Sequence, residues 1–287
     1  MTTVLVTGAG GFIARHLALK LQAEGWRVVG TTRTPVAALP GYQRVACVSL
    51  GESLLPLLAE ERVDAVVHTA LAAGAAAYAL NVEGTTRWLE EGRAAGAPLQ
   101  VLLGTLSAQP EALSPYGRAK WTLEQRFVAA DEVVLRLGVV VGNGGMFARI
   151  RRSATRGPLT PLVDGGQQPL YLVSIETVCN ALRDAINRGG AGLRGRAWNL
   201  VQPEPVALRR LIEAIQQHDG HRALLLPVPL SPVLWAVRVL ESLPGLRLPV
   251  GSANLHGLRQ QSEYRVVADW EHFGYPVQSL EAMLSDI

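Results

Sequence analysis

Residues 1–32 constrain the fold more than any other stretch. They read MTTVLVTGAGGFIARHLALKLQAEGWRVVGTT. An apolar run, VLVTG (4–8), stops at a glycine-rich turn. A segment with helical spacing of apolar residues follows over 12–24, and a second strand-like run, WRVVGTT, over 26–32. Two strands joined through one helix form a βαβ unit with the strands parallel. The alternation then continues. YQRVACV (42–48), VDAVVHT (63–69), LQVLLGT (99–105) and EVVLRLGVVV (132–141) read as strands, and 53–61, 76–95 and 115–130 as helices. Several of the strand-like runs are unbroken Val and Leu, as for strands buried on both faces of a parallel sheet. The expected fold is α/β, a doubly wound parallel sheet.

The second half is less regular. Gly- and Pro-rich loops (157–161, 164–169, 203–205, 227–232) separate short elements. ETVCNALRDAINR (176–188) reads as a helix and RAWNLV (196–201) as a returning strand. The expected division is a dinucleotide-binding domain over 1–145 and 172–201. A smaller C-terminal substrate-binding region, 146–171 and 202–287, would cover the edge where ligands bind in open α/β sheets.

With 287 residues, 48% hydrophobic and 18% charged, the chain has material for a substantial core. Its net charge of +3 is carried by scattered arginines, so no nucleic-acid partner is expected. Cys47 and Cys179 make neither a disulfide framework nor a metal cluster, and the six histidines include no HxxxH pair. No metal is expected. The chain opens on a strand with no signal-peptide pattern, so a reducing, cytoplasmic setting is the expectation. No membrane span is expected either. The most apolar segment, Leu224 to Val250, carries Arg238, Glu241, Arg247 and several prolines. It reads as a helix with Ser231 as N-cap and Pro232 in the first turn, flanked by apolar loops.

The turn after the first strand is spaced Gly8-x-x-Gly11-x-x-Ala14, with Gly10 in addition. Gly8 permits the tight turn, Gly11 lets backbone approach a pyrophosphate, and Ala14 lets helix pack close to sheet. The free N–H groups of the helix start would hold the phosphates. The end of the second strand offers Thr31, Thr32 and Arg33 and no acid. An acid there would take a ribose 2′-hydroxyl, and an arginine a 2′-phosphate, so NADP(H) is favoured and NAD(H) left possible. The plain alternative makes Arg33 a solvated loop residue.

TLSAQPEALSPYGRAK (105–120) places Tyr116 four residues before Lys120, with Ser107 just upstream. On one helix that spacing puts phenol and ammonium on one face, where the ammonium would favour phenolate. Such a pair alone is also common on an exposed helix.

Taken together, these segments resemble the extended short-chain dehydrogenase/reductase family, in its NAD-dependent epimerase/dehydratase branch, nearly end to end. TGAGGFIARHL resembles that family's TGxxGFIG turn, and VDAVVHTAL its fourth-strand motif with His68 and Ala70. YALNVEGT resembles the helix motif carrying an active-site Asn, here Asn81, and VLLGTLSA with SPYGRAK its Ser…YxxxK set. VVLRLGVVVGNGG resembles RPxxVYGP, YLVSIETVCNAL resembles FIHVDDVAxA, and VADWEHFGYPVQSLEAML resembles its C-terminal ending.

The resemblance implies a Rossmann-type fold and an NAD(P)-dependent enzyme. It implies catalytic roles for Ser107, Tyr116, Lys120 and Asn81. Tyr116 would pass the proton, with its pKa lowered by Lys120 and by the oxidised nicotinamide. Lys120 would also hold the nicotinamide ribose, and Ser107 would bind the reacting oxygen. Asn81 would hold backbone or water in a relay, or simply bond helix to loop. Cofactor contacts are implied at Gly8, Gly10, Gly11, Phe12, Ile13, Thr32, Arg33, Ser49, Leu50, Thr69, Ala70, Thr105, Tyr116 and Lys120.

The pattern is departed from at Leu137 and Asn143, where prolines are usual, and at Ser49, where an adenine-reading acid is usual. Gln167, Gln168, Pro169 and Leu170 stand where sugar-nucleotide epimerases place an Arg near the diphosphate, and no local base replaces it. With the bland loop LAAGAAA and the apolar 224–250 region, this points to a less polar ketone or alcohol as the small-molecule substrate. The leading expectation is an NADP-dependent oxidoreductase. A sugar epimerase with tightly held NAD(P) and a non-catalytic NAD(P)-binding scaffold are the alternatives. A homodimer is possible.

Overall fold

The computed structural model describes residues 1–74, 77–229 and 266–287. The chain falls into two compact units, 1–137 with 175–200, and 138–174 with 201–287.

The first unit holds β1 (Thr3–Thr7), α1 (Phe12–Ala23), β2 (Arg27–Thr32), β3 (Arg44–Cys47), α2 (Leu55–Glu60) and β4 (Ala65–His68). It continues with α3 (Ala77–Ala94), β5 (Gln100–Thr105), α4 (Pro115–Ala129), β6 (Val133–Leu137), α6 (Ile175–Asn187) and β11 (Arg196–Leu200). Seven strands form one sheet in the order β11-β6-β5-β4-β1-β2-β3, every pair parallel. This is the doubly wound, Rossmann-like sheet that the alternation predicts. All five residues of β1 are buried, so its unbroken apolar run is the mark of a strand covered on both faces. Leu5, Val29 and Val66 pack with Leu54, Leu57 and Leu58 of the α2 region and Trp88 of α3. Leu102 and Val134 pack with Leu89 of α3 and Leu123 and Phe127 of α4.

Chain order reverses at β1, which has β2 on one side and β4 on the other. The C-terminal ends of strands at such a reversal are where this architecture binds ligands. A buried polar line runs from the end of β4 past the starts of β5 and β6. His68 Nε2 meets Gln100 Oε1 at 2.8 Å, and Gln100 Nε2 donates to Leu89 O at 2.7 Å. Gln100 N donates to Glu132 Oε2 at 2.8 Å, and Glu132 pairs with Arg194 at 3.2 Å. Because the Gln100 amide nitrogen is committed to Leu89, its oxygen faces the imidazole, and His68 Nε2 carries the hydrogen.

The second unit holds β7 (Val139–Val141), α5 (Gly145–Ala154), β8 (Leu159–Val163), β9 (Pro169–Leu170), β10 (Leu172–Ser174), β12 (Val206–Ala207), α7 (Leu208–His218), β13 (Leu224–Val228), α8 (Val266–Phe273) and α9 (Leu280–Ser285). Its strands pair two by two, β7 with β10, β9 with β12, β8 with β13. Its core gathers Phe147, Leu162, Leu172, Leu211, Ile215, Met283 and Leu284.

Two details differ from the sequence reading. The single strand expected over 132–141 is two, broken at Gly138, where a Cβ would lie 2.1 Å from Tyr171 O. The start of the apolar stretch read as loop, Leu224–Val228, is a strand. The helix expected after Ser231 lies outside the described residues.

Candidate active site

The turn between β1 and α1 carries the shape that a dinucleotide requires. Gly8 has φ +71°, and a Cβ there would lie 2.8 Å from Ala70 Cα, so only glycine fits. Gly11 N donates to Gly8 O at 2.8 Å, closing the turn. Gly11 is the N-cap of α1 and offers no side-chain cap. The first i→i−4 bond runs from Arg15 N to Gly11 O, so the amides of Phe12 and Ile13 precede it, as the orphan donors of a helix start do. Nothing lies within 4 Å of a Cβ placed on Gly10. An uncapped helix start, a left-handed glycine and open space beside them fit a pyrophosphate.

Thr69 and Ala70, expected as cofactor contacts, are first of all pinned to β1. Their N–H groups donate to Thr7 Oγ1 at 3.1 and 3.2 Å, and Thr69 Oγ1 donates to Thr7 O. At the end of β2, Thr32 Oγ1 donates to Thr34 O, and Arg33 is exposed with no ion pair among the described residues. At the end of β3, Ser49 N donates to Glu52 Oε2 at 2.6 Å. Leu50 packs against Gly84 of α3.

Ser107, Tyr116 and Lys120 are brought together by β5 and the start of α4. Ser114 caps α4, accepting from Gly117 N at 3.0 Å, and Pro115 follows it. Gly117 lies against the backbone of the upstream loop, where a Cβ would come to 2.6 Å from Ser107 O. That approach sets the first turn of α4 beside Ser107. Arg118 Nη1 donates to Leu113 O at 2.7 Å and steadies the same loop. Ser107 is exposed, and its N–H donates to Thr105 Oγ1 at 3.3 Å. The Thr105 hydroxyl lies close enough to the Tyr116 phenol to hold its pKa down. Thr105, expected to line the nicotinamide pocket, therefore sits beside both catalytic candidates. Its position at the end of β5 is the only sequence signal of this.

The Tyr116 residue is 42% exposed, but its hydroxyl is closely surrounded. Burial pushes its pKa above the ordinary phenol value, and the Thr105 hydrogen bond opposes that. This departs from the lowering expected from Lys120. Lys120 is buried, and its Nζ donates to Leu103 O at 2.7 Å. Burial pulls its pKa down to about 8. Its charge also lowers the pKa of buried His68, which desolvation, the larger cause, takes down to about 4. Asn81 makes the helix-to-loop bond. Its Oδ1 accepts from Ala72 N at 2.8 Å and its Nδ2 donates to Ala72 O at 3.0 Å, so its amide is committed to the loop after β4.

In the second unit, Asn143 Oδ1 accepts from Arg151, which is itself bidentate to Asp219. Sequence reading finds no base near Gln167–Leu170, but α7 brings Arg209 there. Its Nε donates to Gly165 O at 3.0 Å and its Nη1 to Glu213 Oε1. Among the described residues there is no cluster of metal-ligating side chains, and no helix is long and apolar enough to cross a membrane.

The family model for the NAD dependent epimerase/dehydratase family matches residues 4–200. The chain belongs to that family. It is an NAD(P)-dependent enzyme of the extended short-chain dehydrogenase/reductase type. It is 26% identical over 245 residues to a 2-alkyl-3-oxoalkanoate reductase of Stenotrophomonas maltophilia (strain K279a), covering 74% of each chain. It is 33% identical over 172 residues to a dTDP-6-deoxy-L-talose 4-dehydrogenase (NAD(P)(+)) of Kitasatospora kifunensis, covering 49% of this chain and 53% of that one, about half its length. Among solved structures it is similar in fold to the dTDP-glucose 4,6-dehydratase of Bacillus anthracis str. Ames in complex with NAD. The TM-score is 0.68 at 19% identity, covering 80% of this chain and 85% of that one.

Proposed function

We propose that this enzyme is an NADP-dependent oxidoreductase that interconverts a ketone and a secondary alcohol on a substrate of low polarity. The observation that carries the reading is the gathering of the Ser107 backbone and the Tyr116 phenol about the Thr105 hydroxyl, with Lys120 buried one helical turn further on. The turn residues Gly8, Gly10, Gly11, Phe12 and Ile13 would hold the pyrophosphate, and Thr32 and Arg33 the adenosine ribose and its 2′-phosphate. When bound, the nicotinamide supplies or takes up the hydride. Tyr116 gives its phenolic proton to the carbonyl oxygen in reduction and takes it back in oxidation. Ser107 Oγ holds that oxygen and stabilises charge developing on it. Lys120 places a positive charge behind the phenol, and Thr105 fixes the phenol's direction.

Low polarity is supported by the loop after β4, where Leu71 is exposed and Ala72 is clamped by Asn81. The exposed Leu113 before α4 adds to it. The name of the Stenotrophomonas relative, an alkyl-ketone acid reductase, agrees. The dTDP-sugar dehydrogenase and dehydratase relatives favour a second reading, a nucleotide-sugar enzyme. Against it, Arg209 is held by Gly165 O through its Nε and by Glu213 through its Nη1.

The test is a titration with NADPH and NADH, followed by turnover on 3-oxoacids of increasing alkyl length and on UDP-glucose. Arg33→Ala is expected to weaken NADPH about tenfold to a hundredfold while sparing NADH, the worth of a charged hydrogen bond. Tyr116→Phe is expected to lower turnover about 10²- to 10⁴-fold with NADPH binding retained. Epimerisation of UDP-glucose without net NADPH oxidation would establish the second reading. Equal NADPH affinity in wild type and Arg33→Ala would remove the 2′-phosphate assignment.

A further inference from the structure

We infer that Tyr42 is a positioning residue for the cofactor: with Gly41 it locks the β2–β3 loop onto α1 and holds the pyrophosphate turn in its binding shape. The inference rests on the reading that the glycine turn binds NAD(P).

Tyr42 lies between β2 and β3, 8% exposed. Its hydroxyl donates to Ala14 O at 3.0 Å and reaches Ala9 O at 3.4 Å. Those carbonyls stand at the two ends of the turn, one directly after Gly8 and one in the first turn of α1. A single hydroxyl therefore spans the segment whose amides would face the phosphates.

The ring is seated by two absent side chains. A Cβ on Gly30 of β2 would lie 2.7 Å from the Tyr42 ring and 2.6 Å from Ala9 Cβ. Gly41 has φ +88°, and a Cβ there would come to 2.6 Å from Leu19 N and 2.7 Å from Ala18 C. The loop thus lies directly on the backbone of α1. It is held from the β2 side as well, since Gln43 N donates to Val28 O and Val28 N to Gln43 Oε1. Ala9 N donates to Thr31 O at 2.8 Å and Gly8 N to Thr31 Oγ1 at 3.2 Å, so the other polar groups of the turn are fixed by β2. Burial pushes the Tyr42 pKa upward, so the phenol stays a donor at any working pH. An ordinary core tyrosine needs only one acceptor for its hydroxyl. Here the acceptors are two backbone oxygens, one on each side of the turn. The same loop begins with Thr32 and Arg33, so Tyr42 ties the part reading the ribose phosphate to the part holding the pyrophosphate.

Tyr42→Phe keeps the ring and removes the hydroxyl. The expected result is that NADPH and NADH both bind about threefold to tenfold more weakly, with their affinity ratio unchanged. Arg33→Ala, by contrast, changes that ratio. Unchanged affinity for both nucleotides in Tyr42→Phe, even with a lower Tm, would reduce Tyr42 to a packing residue and overturn the inference. Hydrogen exchange of the wild type with and without NADPH gives an independent reading. Protection of 8–14 together with 39–44 supports the brace, and protection of 8–14 alone overturns it. Wild type that binds neither nucleotide would overturn the cofactor reading itself, and the brace with it.

Discussion

In the role proposed for it Tyr116 exchanges a proton near neutrality, and burial holds its pKa above the ordinary phenol value. Lys120, one helical turn further on, is an ammonium kept in a dry site by one carbonyl bond. Its folded pKa of about 8 lies below the unfolded value. Between the two, the unfolded chain holds a proton that the folded chain has released, so stability rises with pH across that window. Below the folded value the ammonium is charged in both states, and its buried charge costs the most. Lys120→Met is therefore expected to be more stable than wild type near pH 7, the gap closing as pH climbs from 8 towards 10.5, read by urea unfolding at stepped pH. A constant gap would mean that Lys120 is hydrated. The Tyr–Lys spacing was legible because i and i+4 share a helix face whatever the fold. The Thr105 link was not, because it joins a strand end to a helix through packing that local sequence does not encode.

At the scale of elements, α4 is placed by its first turn. Ser114, Pro115 and Gly117 are readable as a cap, a helix start and a small residue, but the reason for Gly117 is the Ser107 carbonyl opposite it. Gly117→Ala is expected to push the turn away from Ser107 and lower turnover about a hundredfold, the scale of a misplacement near 1 Å. NADPH affinity should change little, which steady-state kinetics separates from binding. Strand and helix order in the first unit was legible because parallel strands buried on both faces carry unbroken apolar runs. The break at Gly138 was hidden within such a run. It is set by Tyr171, which lies 33 positions on, and its carbonyl occupies the space of a Cβ. The short strands of the second unit were hidden for a related reason, since two- and three-residue pairs leave almost no periodicity.

At the scale of the whole molecule, the chain passes between its two units at three junctions, 137/138, 174/175 and 200/201. The segment 175–200 thereby supplies α6 and β11 to a sheet otherwise complete by residue 137. The two thiols respond to folding in opposite ways. Cys47 is exposed, while Cys179 is buried with its pKa pushed up to about 12. A thiol reagent is expected to titrate one cysteine in the native protein and two in urea, with Cys47→Ser abolishing the native reaction. Two native equivalents would show that α6 opens readily. The polar line through His68, Gln100 and Glu132 has a consequence of its own for a sheet like this one. Where both faces are greasy, Val and Leu tolerate sliding, and apolar pattern alone aligns neighbouring strands weakly. A one-step slip of β5 would part the His68 imidazole from the Gln100 amide and the Gln100 N–H from Glu132. The line therefore acts as a notch that admits a single alignment. Replacing His68 and Gln100 together with leucine should leave a compact chain whose amide spectrum broadens into several coexisting pairings.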